Sequence, residues 1–306
     1  MNGERYAQIT GWGMSVPDRV VTNDDLARAV ETSDEWIYSH TGIRERRLAH
    51  GERDTTATLA TRAARNALLV ADIDPSQLDL VIVATVTPEY AFPSTASVVQ
   101  DALGADHAGA FDLSAGCSGF LYALNMASQA VRSGGARTVL VIGAETLSKI
   151  TDWTDRNTCV LFGDGAGAVV VSVCDQECGV LGTVVGSDGS GGEALVLPAG
   201  GSHCPASIDS VSRGDHFIKM NGREVFRFAT RVIPKATEEV LAKVGWQTED
   251  LSLIIPHQAN IRIIESAAKR LNLPDERFFV NLDRFGNTSS ASVPIALCEA
   301  IEEGRV

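Results

Sequence analysis

The chain repeats itself, and the repeat limits the folds open to it. In the first half, Ala60-Thr-Arg is followed by a helical stretch and the apolar run Leu78-Asp-Leu-Val-Ile-Val-Ala84. In the second, Ala229-Thr-Arg is followed by a helical stretch and Leu251-Ser-Leu-Ile-Ile-Pro-His257. Further on, Gly116-Cys-Ser118 opens a helix that runs through Leu121, Leu124 and Ala127 to Gly134. Gly286-Asn-Thr288 opens one that runs to Gly304, and both pairs are 170 residues apart. One shared tripeptide would mean nothing; an ordered succession of helix, strand, turn and helix predicts two copies of one αβ unit. The halves are read as 1–174 and 175–306, related by a pseudo-two-fold axis. Leu78–Thr85 and Arg137–Ala144 are nearly unbroken apolar runs, as in strands covered on both faces. After Gly134 the first copy adds two strands, Arg137–Ala144 and Ala166–Val173. The second copy has no counterpart after Gly304, so its sheet is expected to lack a strand pair and keep an unpaired edge.

Other elements fall around this frame. Ala7–Gly13 is a short opening strand. Thr22 or Asn23 caps a helix start, and Thr32-Ser-Asp-Glu-Trp36 is a second cap signature. Thr41–Arg47 is a basic turn and strand, and a helix spans about Asp54 to Ala71. Gly163-Asp-Gly-Ala-Gly-Ala168 is a tight glycine turn entering a strand; it lacks the Lys-Ser/Thr of a phosphate-binding P-loop. Residues 175–216 are rich in loops, and a long helix begins near Phe217–Phe226 with Asn221 or Gly222 at its cap.

Of the 306 residues 44% are hydrophobic, ample for a large core, and the net charge of −13 argues against bulk nucleic-acid binding. The opening Met1-Asn-Gly-Glu-Arg5 is polar and no apolar run reaches membrane-spanning length, so neither a signal peptide nor membrane insertion is expected. Six cysteines form no dense framework, which fits a reducing cytoplasm. Cys174 and Cys178 have the spacing of metal ligands without a second Cys/His pair, and no metal site is expected.

The chemistry gathers at three residues. Cys117 lies where a strand (Ala110–Leu113) turns into a helix, and a helix N-terminus favours thiolate over thiol; a buried structural cysteine is the alternative. His257 directly follows the strand Leu251–Ile255, at the end where αβ sheets place chemistry. Asn287 occupies the repeat-related turn, so the pseudo-two-fold brings it face to face with Cys117. Singly, the His could be a satisfied core residue and the Asn a cap. Jointly they suit a thiolate that forms a thioester and two N–H donors that hold an oxyanion or enolate.

These residues resemble those of the β-ketoacyl-acyl-carrier-protein synthase III family, the initiating condensing enzymes of fatty-acid synthesis. The resemblance runs through Thr32–Trp36, Thr41–Glu45, Ala91–Ser94, the Cys117 turn, Phe162–Ala168, Pro256–Asn260 and Gly286–Pro294. It implies a thiolase-like α/β fold, an internally duplicated αβαβα sandwich. It also implies a reaction: Cys117 takes an acyl group from acyl-CoA, His257 and Asn287 support decarboxylation of malonyl-acyl carrier protein, and a β-ketoacyl-carrier protein leaves. No cofactor is implied. Cys298, inside the last helix, is poorly placed to be the second cysteine of a degradative thiolase.

By the same resemblance Trp36 and Arg156 sandwich the adenine of CoA, and Gly222, Phe226 and Asn260 line a pantetheine tunnel. Phe92 crosses a homodimer interface to close the partner's acyl pocket. Arg227, Arg262, Lys269 and Arg270 form a basic surface for the acidic carrier protein. His40 and Arg223 depart from the family pattern near the CoA site, and the family's C-terminal strand pair and glycine-rich loop have no match in this sequence. The rival readings are a related acyltransferase of secondary metabolism and a non-catalytic homologue.

Overall fold

The computed structural model describes residues 5–306. Residues 1–4, most of the polar opening read above, lie outside the described residues. The chain runs β1 (Tyr6–Ser15), β2 (Val20–Thr22), α1 (Asn23–Ala27), α2 (Asp34–Thr41), β3 (Glu45–Arg47), α3 (Thr56–Ala71), β4 (Leu80–Ala84), α4 (Thr95–Leu103), β5 (Gly109–Leu113) and α5 (Gly119–Ser133). It continues with β6 (Thr138–Thr146), α6 (Arg156–Cys159), β7 (Asp164–Cys174), β8 (Leu195–Val196), α7 (Ile208–Ser212), β9 (Lys219–Met220), α8 (Gly222–Val244), α9 (Ile261–Leu271), α10 (Leu282–Phe285) and α11 (Ser292–Glu302). The cap signatures are used as such: Thr22 closes a capping box with Asp25, Ser33 caps α2 and Asn221 caps α8.

The main sheet has the order β1-β7-β6-β4-β5. β5, β4 and β6 are parallel, while β7 and β1 join antiparallel. Its apolar runs have the expected cause. Val81 and Val83 face α3 and α4, while Ile82 and Ala84 face α5 and α11 on the other side. Thus α5 from the first half and α11 from the second share one face of the sheet. Behind α11, Phe279, Ala296 and Ala300 pack on Leu253 and Ile255. α9, with Ile264, Ala267 and Leu271, covers the far side of Ile254 and Phe278. The succession is helix, sheet, helix, extended chain, helix, as the thiolase-like sandwich requires.

Three expectations change. Leu251–Ile255 is not a strand: among the described residues its only ladder contact is one parallel bridge from Ile254 to Phe278. A strand is held by a run of cross-strand bonds, and here Ile254 N–H donates to Arg277 O (2.7 Å) and Ile254 O accepts from Phe279 N–H (2.9 Å), with no run on either side among the described residues. Second, Gly165 and Gly167 are not in a turn but within β7. A Cβ on Gly167 would lie 2.7 Å from Ile295 N, so the missing side chains let α11 approach the sheet. Third, α4 forms just beyond the Ala91–Ser94 motif, where no helix was expected; Ser94 caps it and Gly104 ends it.

Candidate active site

Cys117 sits at the end of β5, in a 3-10 turn over Gly116–Ser118 that precedes α5. The helix therefore begins two residues later than the sequence suggested. Gly116 takes φ +57°, a left-handed conformation that a side chain would strain. No side chain caps this turn, so its N–H groups can receive an anion. The thiol itself does not follow the simple expectation of a lowered pKa. Burial pushes it up, a hydrogen bond from the Ser289 side chain pulls it down, and negative charge at Glu145 would push it up again. Desolvation outweighs the helix terminus here.

Asn287 lies on the facing segment. Its backbone is fixed to the loop before β7: its N–H donates to Leu161 O (2.8 Å) and its O accepts from Gly163 N–H (3.0 Å). The side chain is oriented too, since Oδ1 accepts from Ser289 N–H at 2.9 Å. That bond assigns the amide and leaves Nδ2 as a donor without a protein partner among the described residues. Ser289 has φ +48° and opens a second 3-10 turn, Ser289–Ala291, before α11. This corrects the register of the repeat. The 3-10 turn that leads into α11, as Gly116–Ser118 leads into α5, is Ser289–Ala291, which puts Ser289 opposite Gly116, three positions beyond a 170-residue offset. Ser290, not Asn287, occupies the position of Cys117 in the turn. Asn287 reaches Cys117 through Ser289, which contacts both.

His257 is held by its neighbours. Gln258, buried beside it, donates to Pro256 O (2.9 Å) and Phe279 O (3.0 Å) and accepts from Asn281 N–H (3.0 Å). The ring's Nδ1 is 2.6 Å from Ser292 Oγ, which also accepts weakly from Gln258 N–H at 3.4 Å. Among the described residues Nδ1 is the only acceptor that the Ser292 hydroxyl meets, so the hydroxyl donates to Nδ1 and the ring carries its proton on Nε2. Burial lowers the His257 pKa to about 4, so the ring is neutral at ordinary pH. Cys117, Asn287 and His257 therefore all rest on one segment, residues 287–292, where α11 meets the sheet.

Two family profiles match: 3-oxoacyl-[acyl-carrier-protein] synthase III over residues 111–189, and the C-terminal part of the same family over residues 241–306. The β-ketoacyl-[acyl-carrier-protein] synthase III of Natranaerobius thermophilus is 56% identical over 303 residues, covering 98% of this chain and 92% of that protein. That of Symbiobacterium thermophilum is 54% identical, covering 99% and 91%. The crystal structure of the Aquifex aeolicus VF5 enzyme superposes with a TM-score of 0.90 at 49% identity, covering 98% and 92%. The chain belongs to the β-ketoacyl-[acyl-carrier-protein] synthase III family. Its fold is thiolase-like, and its class is that of acyl-transferring condensing enzymes.

Against that family's expected CoA site, Arg156 lies over the Trp36 ring at 4.9 Å and donates to Glu31 O (2.9 Å). His40 stacks on the same ring at 4.5 Å. Both groups thus lie against the one indole. Asn260 caps α9, accepting from Arg262 N–H (2.9 Å) and donating to His40 O (3.0 Å). Gly222 begins α8 and Phe226 is exposed one turn on. Phe92 is 89% exposed. Arg227, Arg262, Lys269 and Arg270 are exposed on α8 and α9, although Arg262 and Arg270 each donate to a backbone carbonyl, of Ser39 and Thr230. Cys298 is buried in α11, its thiol pushed up to about 12 by burial. Cys174 and Cys178 lie with their sulfurs 3.0 Å apart, and no group of three or more potential metal ligands occurs among the described residues. No helix among them is long and apolar enough to cross a membrane.

The sequence reading missed Ser289, Ser292, Ser290 and Glu145. The three serines stood inside the Gly286–Pro294 motif without an assigned role. Glu145 gave no signal beyond being a carboxylate after a buried strand.

Proposed function

We propose that this chain condenses an acyl-CoA starter with malonyl-acyl carrier protein through an acyl-Cys117 intermediate, with His257 and Asn287 as the decarboxylation donors. The Cys117 thiol passes its proton to solvent as its sulfur attacks the thioester carbonyl, and CoA leaves as the thiol. The uncapped N–H groups of the Gly116–Ser118 turn receive the first oxyanion. Malonyl-carrier protein then places its thioester oxygen between His257 Nε2–H and Asn287 Nδ2–H. Loss of CO2 leaves enolate charge on that oxygen, and two neutral, pre-oriented donors stabilise it without reorganising. The enolate carbon attacks the acyl-thioester, and Cys117 is released as thiolate.

The observation that carries this reading is the orientation of both donors by groups that are not donors to substrate: Ser289 N–H fixes Asn287, and Ser292 fixes His257. A neutral His257 is what enolate stabilisation needs, because a proton-rich imidazolium would be used up as an acid. Trp36 and Arg156 hold the adenine; Gly222, Phe226 and Asn260 border the pantetheine; the α8–α9 basic face receives the carrier protein. The exposed Phe92 fits a homodimer contact. A cytoplasmic setting fits both thioester substrates. Intact mass after mixing with a panel of acyl-CoAs tests the first half: an acyl adduct mapped to Cys117 supports it, and an adduct elsewhere or none refutes it.

A further inference from the structure

Directly behind the nucleophile, at the end of β6, lies a carboxylate that the reaction does not use. Glu145 is fully buried. Oε2 is 2.7 Å from Thr87 Oγ1 and 3.1 Å from Val86 N; Oε1 is 2.7 Å from Ser290 Oγ. None of these partners is positively charged. Thr87 Oγ1 already accepts from Thr146 N–H at 2.8 Å, so its own proton is free to go to Oε2.

Ser290 decides the protonation state. Its hydroxyl has one proton and faces two acceptors, Glu145 Oε1 at 2.7 Å and Ala84 O at 2.8 Å. With an ionised Glu145, one of these short contacts would set oxygen against oxygen with no proton between them. A carboxylic acid satisfies both: Oε1–H donates to Ser290, and Ser290 donates to Ala84 O. We propose that Glu145 is held as a neutral acid whose proton is given to Ser290, and that this pair positions the Cys117 turn while keeping negative charge away from its thiol.

The packing shows how the pair acts. A Cβ on Gly119, the first residue of α5, would lie 3.1 Å from Ala84 Cβ and 3.6 Å from Ser290 Cβ, so the pair forms the floor on which the Cys117 turn rests. Cys117 is the titratable group facing Glu145, from that turn. The loop after β4 presents Thr85 and Thr87, while the 289–291 turn presents Ser290, all uncharged. A charge on Glu145 would oppose thiolate formation; a neutral acid does not. Glu145 is thus a positioning residue for the nucleophile proposed above, and the inference rests on that reading of Cys117.

The test compares full-length wild type with Glu145→Gln and Glu145→Ala. Glutamine can donate to Ser290 and accept from Thr87, as the neutral acid does. Difference infrared spectroscopy should show a protonated-carboxyl carbonyl band in wild type that vanishes in E145Q. The pH midpoint of Cys117 alkylation by iodoacetamide should be the same in both. Loss of the floor in E145A should slow Cys117 acylation about 10-fold or more with little change in KM for acyl-CoA, and E145Q should restore most of that rate. Absence of the band, or an alkylation midpoint lower by about one pH unit in E145Q, would mean an ionised Glu145 and overturn the proposal. These two readouts need no condensation, so they stay decisive if the reading of the overall reaction fails.

Discussion

At Cys117, the same surroundings that orient the proposed nucleophile also make its ionisation harder, and acyl transfer through it would depend on how the two balance. The sulfur gains a hydrogen bond from Ser289 and loses hydration, and hydration loss dominates. Cys117→Ala should abolish the acyl adduct in intact-mass measurements. His257→Ala and Asn287→Ala should leave acylation largely in place and slow malonyl decarboxylation by about 10²- to 10³-fold each, the usual effect of removing one oxyanion donor; the opposite split between the two half-reactions would refute the assignment. The His257 pKa, lowered from 6.5 to about 4, sets a pH dependence. Above pH 6.5 the ring is neutral folded and unfolded alike. As pH falls from 6.5 toward 4, the unfolded chain takes up a proton that the folded one refuses, so His257 subtracts from stability over that window. Decarboxylation should hold through it and fall only near pH 4, which a pH–rate profile on malonyl-carrier protein checks.

At the level of elements, the site depends on how closely α11 approaches the sheet. A Cβ on Gly143 would lie 2.3 Å from Ser290 O, and one on Gly167 2.7 Å from Ile295 N. Gly143→Ala should therefore lift the 289–291 turn, destabilising by about 1–3 kcal/mol in urea unfolding and reducing both half-reactions. The periodicity of β4, β6, α3 and α5 was readable because each alternates or saturates its apolar positions. α4 was not, because its short apolar face follows the irregular segment Ala91–Ser94 with little pattern to separate them. Leu251–Ile255 failed for the converse reason. Its sequence has strand character, but strand identity belongs to a pair of segments, and among the described residues only Phe278 meets it through a bridge.

Across the whole molecule, charge is unevenly spread. The chain carries −13 overall, yet α8 and α9 expose Arg227, Arg262, Lys269 and Arg270. Such a patch would steer an acidic partner against the molecule's own repulsion. Charge reversal at Arg227 and Lys269, whose side chains make no hydrogen bond or ion pair among the described residues, should raise KM for malonyl-carrier protein roughly 3- to 10-fold, less at high salt, with a smaller effect on acylation by acyl-CoA. An equal effect on both substrates would place the fault in the tunnel rather than at the docking face.

The sequence by itself determined the buried parallel strands and most caps, and it singled out Cys117, His257 and Asn287 as candidates, because these are written in periodicity, turn residues and motif spacing. It put the pseudo-two-fold partner of Cys117 at Asn287; only the tertiary structure, through the matching 3-10 turns Gly116–Ser118 and Ser289–Ala291, moved it to Ser290. The structure alone decided that Ser289 and Ser292 orient the two donors, that desolvation raises the thiol, and that Glu145 lies beneath it. These are relations between segments far apart in the chain. A hydrogen bond or a desolvation depends on which groups meet in space, and spacing along a sequence does not fix that until the layers have packed.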